Sequence, residues 1–342
     1  MNGRSARVRA VGLVAVAAVV ALAGCGSSSS GGSTGSSAAS GSGSAPAAGG
    51  GKTIKIGFAQ VGSESGWRTA NTLSIKSALT KEAGFDLKFS DAQQKQENQI
   101  TAIRSYIAQG VDVIAFSPVV TTGWDGVLEE AKTANIPVIL TDRAVDTKDD
   151  TLYKTFIGSD FVEEGRRAGD YVSKNFGTAP INVVVLEGTT GSAPALDRTK
   201  GFNAAIAGNQ NVKVVASQTG NFTRSEGKTV MEGFLKSQKK IDVLFAQNDD
   251  MGLGAIEAIQ AAGKKPGVDI KIVSIDGVHD GMQALADGKI NYIVECNPLL
   301  GPDLAALARK VVNGETVEHR IVTHDDAFDS AGAKTALPTR KY

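Results

Sequence analysis

Two cysteines and three histidines are all that the 342-residue chain offers to thiol, disulfide or metal chemistry. Cys25 and Cys296 cannot make a disulfide framework, and no Cys/His spacing suits a metal. His279, His319 and His324 all fall late in the chain, with no serine or cysteine elbow to serve. The loop after the first strand-like run lacks Gly-x-Gly-x-x-Gly, and no Walker-type loop occurs, so neither nucleotide fingerprint is present. An excess of one charge is also lacking, with 36 Lys+Arg against 36 Asp+Glu. Arg4, Arg7 and Arg9 lie in a segment expected to be removed, which leaves 33 basic and 36 acidic residues and a net charge of about −3. That balance argues against nucleic acid as a partner. No cofactor and no metal are expected.

Long hydrophobic runs are missing too. The one candidate, residues 11–23, is broken only by Gly12 and is too short for a comfortable membrane span. With the three arginines before it and small residues after it, it reads as a secretory signal. It closes on Leu22-Ala23-Gly24-Cys25, the pattern of a bacterial lipobox, in which the cysteine is acylated and becomes the mature N-terminus. Residues 26–51 are almost wholly Ser, Gly and Ala, which cannot bury enough apolar surface to fold. The expectation is a signal peptide over 1–24, then a tether over 25–51 that holds the protein by Cys25 at the outer face of the cell membrane. Cys296 is then left without a partner and reads as a buried thiol.

What remains is long enough for two α/β domains. Its composition, 42% apolar and 21% charged over the whole chain, is ordinary for a globular protein. β-type apolar runs recur at 54–59, 86–89, 113–116 and 137–140, and again at 155–158, 182–186, 212–216, 243–246, 270–275 and 292–294. Helical periodicity fills the gaps: Ile100, Ile103 and Ile107 mark one face, and Val127, Leu128, Ala131 and Ala134 another. Helices are expected at 165–176, 224–236 and 302–312, and a short strand near Ile321 and Val322 is expected to end the ordered pattern. Strand–helix alternation specifies parallel sheets with helices on both faces. So many βα steps exceed one comfortable sheet, so two similar Rossmann-like lobes are expected, with no long linker between them.

Ligands of such sheets sit beyond the carboxyl ends of the strands. After the first strand come Glu64, Trp67 and Arg68, a carboxylate, an indole and a guanidinium within five positions. After the fourth come Asp142 and Arg143. In the second set the strand-end loops supply Arg198, Asn221 and Phe222, Asn248, and Asp276. Asp and Asn beside Arg can satisfy a hydroxyl that both donates and accepts, while Trp or Phe can stack on an apolar sugar face. Each residue also has a structural use: Asp142, Asn248 and Asp276 could cap the helices that follow them. Asp249 and Asp250 read as cap and first-turn charges, and Trp124 as packing. The concentration at one pole of both sheets favours binding.

At 60–68, Asp142-Arg143, Ala246-Gln247-Asn248-Asp249-Asp250-Met251 and Ser274-Ile275-Asp276-Gly277 the chain resembles the periplasmic sugar-binding proteins of the ribose/galactose class, the substrate receptors of ABC importers. The resemblance spans roughly 54 to 323. The runs at 61–68, 93–100 and 221–225 are similar to the galactofuranose-binding branch. It implies the type I periplasmic-binding-protein fold: two lobes joined by a three-stranded hinge that close over one sugar. The first lobe would take 52–157 with 296–325, and the second 158–295 with 326–342. It implies ligand contacts from Glu64, Trp67, Arg68, Asp142 and Arg143 on one side and Arg198, Phe222, Asn248 and Asp276 on the other, with Glu295 at the hinge. Trp67 and Arg68 stand where ribose receptors have paired phenylalanines, Leu196 stands where they often have arginine, and Glu295 replaces the usual hinge glutamine. These departures argue against ribose. The function implied is a monomeric extracytoplasmic receptor, not an enzyme, that captures a furanose-form monosaccharide and delivers it to an ABC permease. The alternative is a receptor for another small polyhydroxylated ligand, such as ribose, arabinose, galactopyranose or a cyclitol, used in transport or sensing. A glycosidase would also use carboxylates in a cleft. A repressor of the same core would need an N-terminal DNA-binding helix pair, where this chain has a signal and a tether.

Overall fold

The computed structural model describes residues 52–342. The signal peptide, Cys25 and the rest of the tether lie outside the described residues. Two six-stranded sheets organise the rest. The first contains β1 (Ile54–Gln60), β2 (Phe85–Asp91), β3 (Val113–Phe116), β4 (Val138–Thr141), β5 (Thr155–Gly158) and the late β11 (Arg320–Val322), in spatial order β11-β5-β4-β3-β1-β2. The second contains β6 (Ile181–Glu187), β7 (Val212–Thr219), β8 (Val243–Ala246), β9 (Lys271–Asp276), β10 (Tyr292–Glu295) and β12 (Ala327–Phe328), in order β12-β10-β9-β8-β6-β7. Every pairing is parallel except β10 with β12.

The two sheets thus repeat one topology. In each, the chain steps from its first strand to an edge strand, then returns to the other side. That reversal places a switch point between β1 and β3 and another between β6 and β8, where the loops splay apart and leave a crevice. β3, β4, β5 and β8 are buried at every residue, as strands covered on both faces must be. The edge strands β2 and β7 are half-exposed and carry polar residues, which is why their apolar runs are shorter than the strands themselves.

The chain passes between sheets after β5, returns after β10 into α9 (Gly301–Val312), and passes again between β11 and β12. α9 packs on α1 (Gly66–Ala78), where a Cβ on Gly301 would lie 2.1 Å from the Ser74 carbonyl oxygen. The ordered pattern does not end at β11, contrary to the expectation from sequence. β12 and α10 (Ser330–Ala336) follow, and α10 packs on α8 (His279–Ala286). A two-residue strand shows no periodicity, so nothing in the sequence marks it.

α4 (Phe161–Asn175) also starts earlier than expected, capped by Asp160, whose side chain accepts from Glu163 N. Gly165 therefore sits inside the helix, not at its start. A Cβ there would lie 2.1 Å from the carbonyl oxygen of Arg198 on α5 (Ala193–Ile206), and one on Gly201 would lie 2.0 Å from that of Val162. The two helices cross at backbone contact. Gly165→Ala should force them apart and cost about 1–3 kcal/mol, read as a lower urea midpoint at unchanged slope.

Candidate functional site

The loop after β1 is shaped by local rules. Ser65 caps α1 by accepting from Arg68 N at 3.1 Å, which puts Trp67 and Arg68 in the first helical turn. Arg68 is fully buried, and its fork is almost completely used. Nε donates to Glu64 Oε1 (3.0 Å), Nη2 to Asp142 Oδ2 (2.7 Å), and Nη1 to Gln60 Oε1 (3.3 Å) and Ser117 Oγ (3.4 Å). Burial opposes its charge, but Asp142 and Glu64 outweigh burial and hold the guanidinium above its ordinary pKa. Arg143 is in the opposite position. Burial and the neighbouring Arg68 push it down to about 10, with Asp142 and Glu64 only at 3.6–3.7 Å.

The second lobe answers with Arg198, Phe222, Asn248 and Asp276. Asn248 does two jobs: its Oδ1 caps α7 (Asp249–Ala261) through Met251 N, and its Nδ2 donates to the Phe222 carbonyl at 3.1 Å. The Phe222 ring lies against Gly188, where a Cβ would stand 1.8 Å from the ring, and the guanidiniums of Arg143 and Arg198 lie 5.3 and 5.9 Å from it. Arg198 donates from Nη1 to Gln247 O (2.6 Å) and from Nε to Glu164 Oε2 (2.7 Å), and Asp276 Oδ1 is 3.6 Å from Nη2. Burial raises Asp276 well above the usual carboxylate range, against the pull of Arg198.

Four residues here hold positive φ: Asp142 (62°), Asn221 (50°), Phe222 (62°) and Asp276 (125°). Such conformations cost energy in a non-glycine residue and persist where surrounding structure fixes them, most often at ligand sites. They also explain why Asp142 and Asp276 are not caps. No helix starts at Asp142, and α8 has Val278 at its cap position.

Of the ten residues marked from sequence, nine line one cavity between the lobes: Glu64, Trp67, Arg68, Asp142, Arg143, Arg198, Phe222, Asn248 and Asp276. Ser65, Pro194 and Cys296 join them. Pro194 and Cys296 gave no chemical signal in the sequence. Glu295 is elsewhere. Its Oε1 accepts from Arg340 Nη1 and Tyr342 Oη, both at 2.6 Å, and its Oε2 from Asp326 N at 2.9 Å, so it pins the C-terminal segment. Cys296 is a buried free thiol, and Trp124 packs on Phe116 at 4.9 Å. Asp249 fastens the loop after β9 by accepting from Gly277 N, Val278 N and Ser274 Oγ.

Three guanidiniums and three carboxylates face this space. A cavity so balanced suits a neutral ligand rich in hydroxyls, not an ion. Glu64 Oε2 and Arg143 Nε are buried there without a hydrogen-bond partner, and groups of that kind call for one. The lobes meet over the cavity: Gly66 N donates to Asp250 Oδ2 (2.7 Å) and Thr121 N to Gly191 O (2.9 Å), while Trp67 Nε1 donates to Cys296 O (2.6 Å) at the crossing after β10.

Comparison with known proteins agrees with this architecture. Residues 56–316 match the periplasmic binding protein domain. The chain is 49% identical over 292 residues to the galactofuranose-binding protein YtfQ of Escherichia coli (strain K12), which covers 84% of this chain and 92% of that protein. A crystal structure from Mycobacterium smegmatis in complex with β-D-fucofuranose is 69% identical, with a TM-score of 0.83 over 84% of this chain and 95% of that one. The binding protein of the arabinose ABC transporter from Shewanella sp. ANA-3, bound to α- and β-L-arabinofuranose, is 49% identical, with a TM-score of 0.81 over 84% and 96%. The chain belongs to the periplasmic binding protein family and has its type I fold of two α/β lobes.

Proposed function

We propose that this protein captures one monosaccharide in its furanose form, galactofuranose or a close relative, and delivers it to an ABC permease. The observation that carries this reading is the charge-balanced cavity, where Arg68, Arg143, Asp142 and Glu64 from one lobe face Arg198, Phe222, Asn248 and Asp276 from the other. The sugars named for the similar proteins, galactofuranose, fucofuranose and arabinofuranose, share a five-membered ring and support the same choice. Each hydroxyl would find a donor and an acceptor, and an isomer with one hydroxyl misplaced would leave a buried group unpaired, which discriminates strongly.

The mechanism is closure about the crossings between the sheets. A ligand held by both lobes favours the closed state by its differential affinity for it, and the permease reads the closed outline. No covalent step is needed. In this reading 52–157 with 296–325 forms one rigid body, 158–295 with 326–342 forms the other, and the protein acts as a monomer. Cys25 carries a lipid and the Gly/Ser tether gives the receptor reach from the outer face of the membrane. Calorimetric titration of the purified protein with galactose, arabinose, ribose, fructose and methyl β-D-galactofuranoside tests the ligand. One-to-one binding that is tightest for the furanoside, with no product formed, is expected. Preference for ribose, or turnover of the glycoside, would contradict it.

A further inference from the structure

We infer that Glu164 is a positioning residue of the sugar site, which holds the guanidinium of Arg198 so that its remaining donors face the cavity. The inference rests on the sugar-binding reading above. Glu164 itself does not line the cavity. It lies behind Arg198, on α4, and is fully buried. Its Oε2 accepts from Arg198 Nε at 2.7 Å, and the Gln247 carbonyl accepts from Nη1 at 2.6 Å. Two acceptors at different nitrogens of one rigid fork fix its plane. Nη2 is then left 3.6 Å from Asp276, beyond a good hydrogen bond and free for a ligand oxygen.

The fold is built to permit this contact. Gly165, the next residue, has no side chain because the Arg198 carbonyl oxygen fills that space, so α4 and α5 approach closely enough for Glu164 to reach Nε. Glu163, one position earlier, is half-exposed and pairs with Arg166 on its own helix. The two adjacent glutamates therefore have unrelated roles.

The charged and titratable groups around Glu164 are Arg198 from α5, Asp276 from β9, Cys296 after β10, and Asp325 after β11, with Asp160, Glu163, Arg167 and His324 at the hinge crevice that Glu164 also borders. Burial pushes Glu164 up to about 7, against the pull of Arg198 and with the push of Asp325. Its ionised form makes the charged bond to Arg198. Affinity should therefore be highest above that pH and fall as the pH drops through it.

The test is calorimetric titration of methyl β-D-galactofuranoside into the full-length protein between about pH 5.5 and about pH 8.5, for wild type, Glu164→Gln, Arg198→Lys and the double variant. Wild type should show an inflection in affinity near neutrality. Glu164→Gln keeps the volume and should bind about tenfold more weakly above the inflection, with a flattened pH profile. In the Arg198→Lys background it should have little further effect, because both changes remove one interaction. Wild-type affinity in Glu164→Gln, a pH profile left wholly unchanged by the substitution, or losses that simply add would each overturn the assignment. If wild type bound no furanoside at all, the sugar reading would fall first, which is a distinguishable result.

Discussion

Arg68→Met should remove about 3–5 kcal/mol of stability, because it leaves two buried carboxylates without the cation that compensates them. Glu64 and Asp142 each accept a bond from Arg68 within 3.0 Å, and both are nearly inaccessible to water. Arg143 cannot replace it, since it stands 3.6–3.7 Å from the same two groups and already donates to the Val119 carbonyl. Sugar binding should vanish with it. Arg68→Lys keeps the charge but not the planar fork that meets Glu64, Asp142 and Gln60 together, so it should recover part of the stability and little of the affinity. Urea denaturation of the three proteins checks this. Equal stability of Arg68→Met and wild type would mean that the buried network is not organised by this residue.

Trp67→Ala should act differently, on closure more than on folding. Trp67 starts α1 in the first lobe, yet its ring packs among second-lobe and hinge residues that include Phe161, Ala193 and Cys296, and its indole N–H donates to the Cys296 carbonyl. Truncating a buried tryptophan costs about 3–5 kcal/mol in a core that cannot rearrange. Two hinged lobes can rearrange by opening, so the unfolding free energy should change little. The loss should appear as affinity weakened on the order of a hundredfold, because the binding-competent closed state becomes rarer. Trp67→Phe retains a ring and loses only the bond to Cys296, which should weaken binding by several-fold. Calorimetry of binding and urea melts of both variants separate the two effects. A large fall in stability with affinity intact would show that Trp67 belongs to one rigid core and not to closure.

Much of this candidate site was legible because its polar and aromatic groups sit where the topology places ligand sites, just past strand ends. Glu64 to Arg68 could be read from the strand, the capping Ser65 and the helix that follows. Asp142, Phe222 and Asp276 carried no sign of their positive φ, since a single sequence gives residue types and not the strain they bear. For Asp142 and Asp276 the structural alternative, helix capping, is excluded by geometry, and Asn248 serves its cap and the Phe222 carbonyl at once.

The residues that escaped the sequence are those whose partners are remote. Glu295 looked like a hinge ligand, but Arg340 and Tyr342, some way further along the chain, take its carboxylate. Glu164 falls just before the helix expected at 165–176 and carried no signal of its own. Its burial depends on which way the helix faces and on how closely α5 approaches over Gly165, and neither is a local property. β12 and α10 were missed because two residues have no period and one seven-residue helix has little.

The central claim is that a furanose ring draws the two lobes together. Solution X-ray scattering of the purified protein, alone and with saturating methyl β-D-galactofuranoside or methyl β-D-galactopyranoside, tests it most directly, because neither glycoside can change ring form. The account predicts a smaller radius of gyration with the furanoside, matching the lobe arrangement described above, and no change with the pyranoside. Equal compaction by both, or compaction by the pyranoside alone, would contradict it.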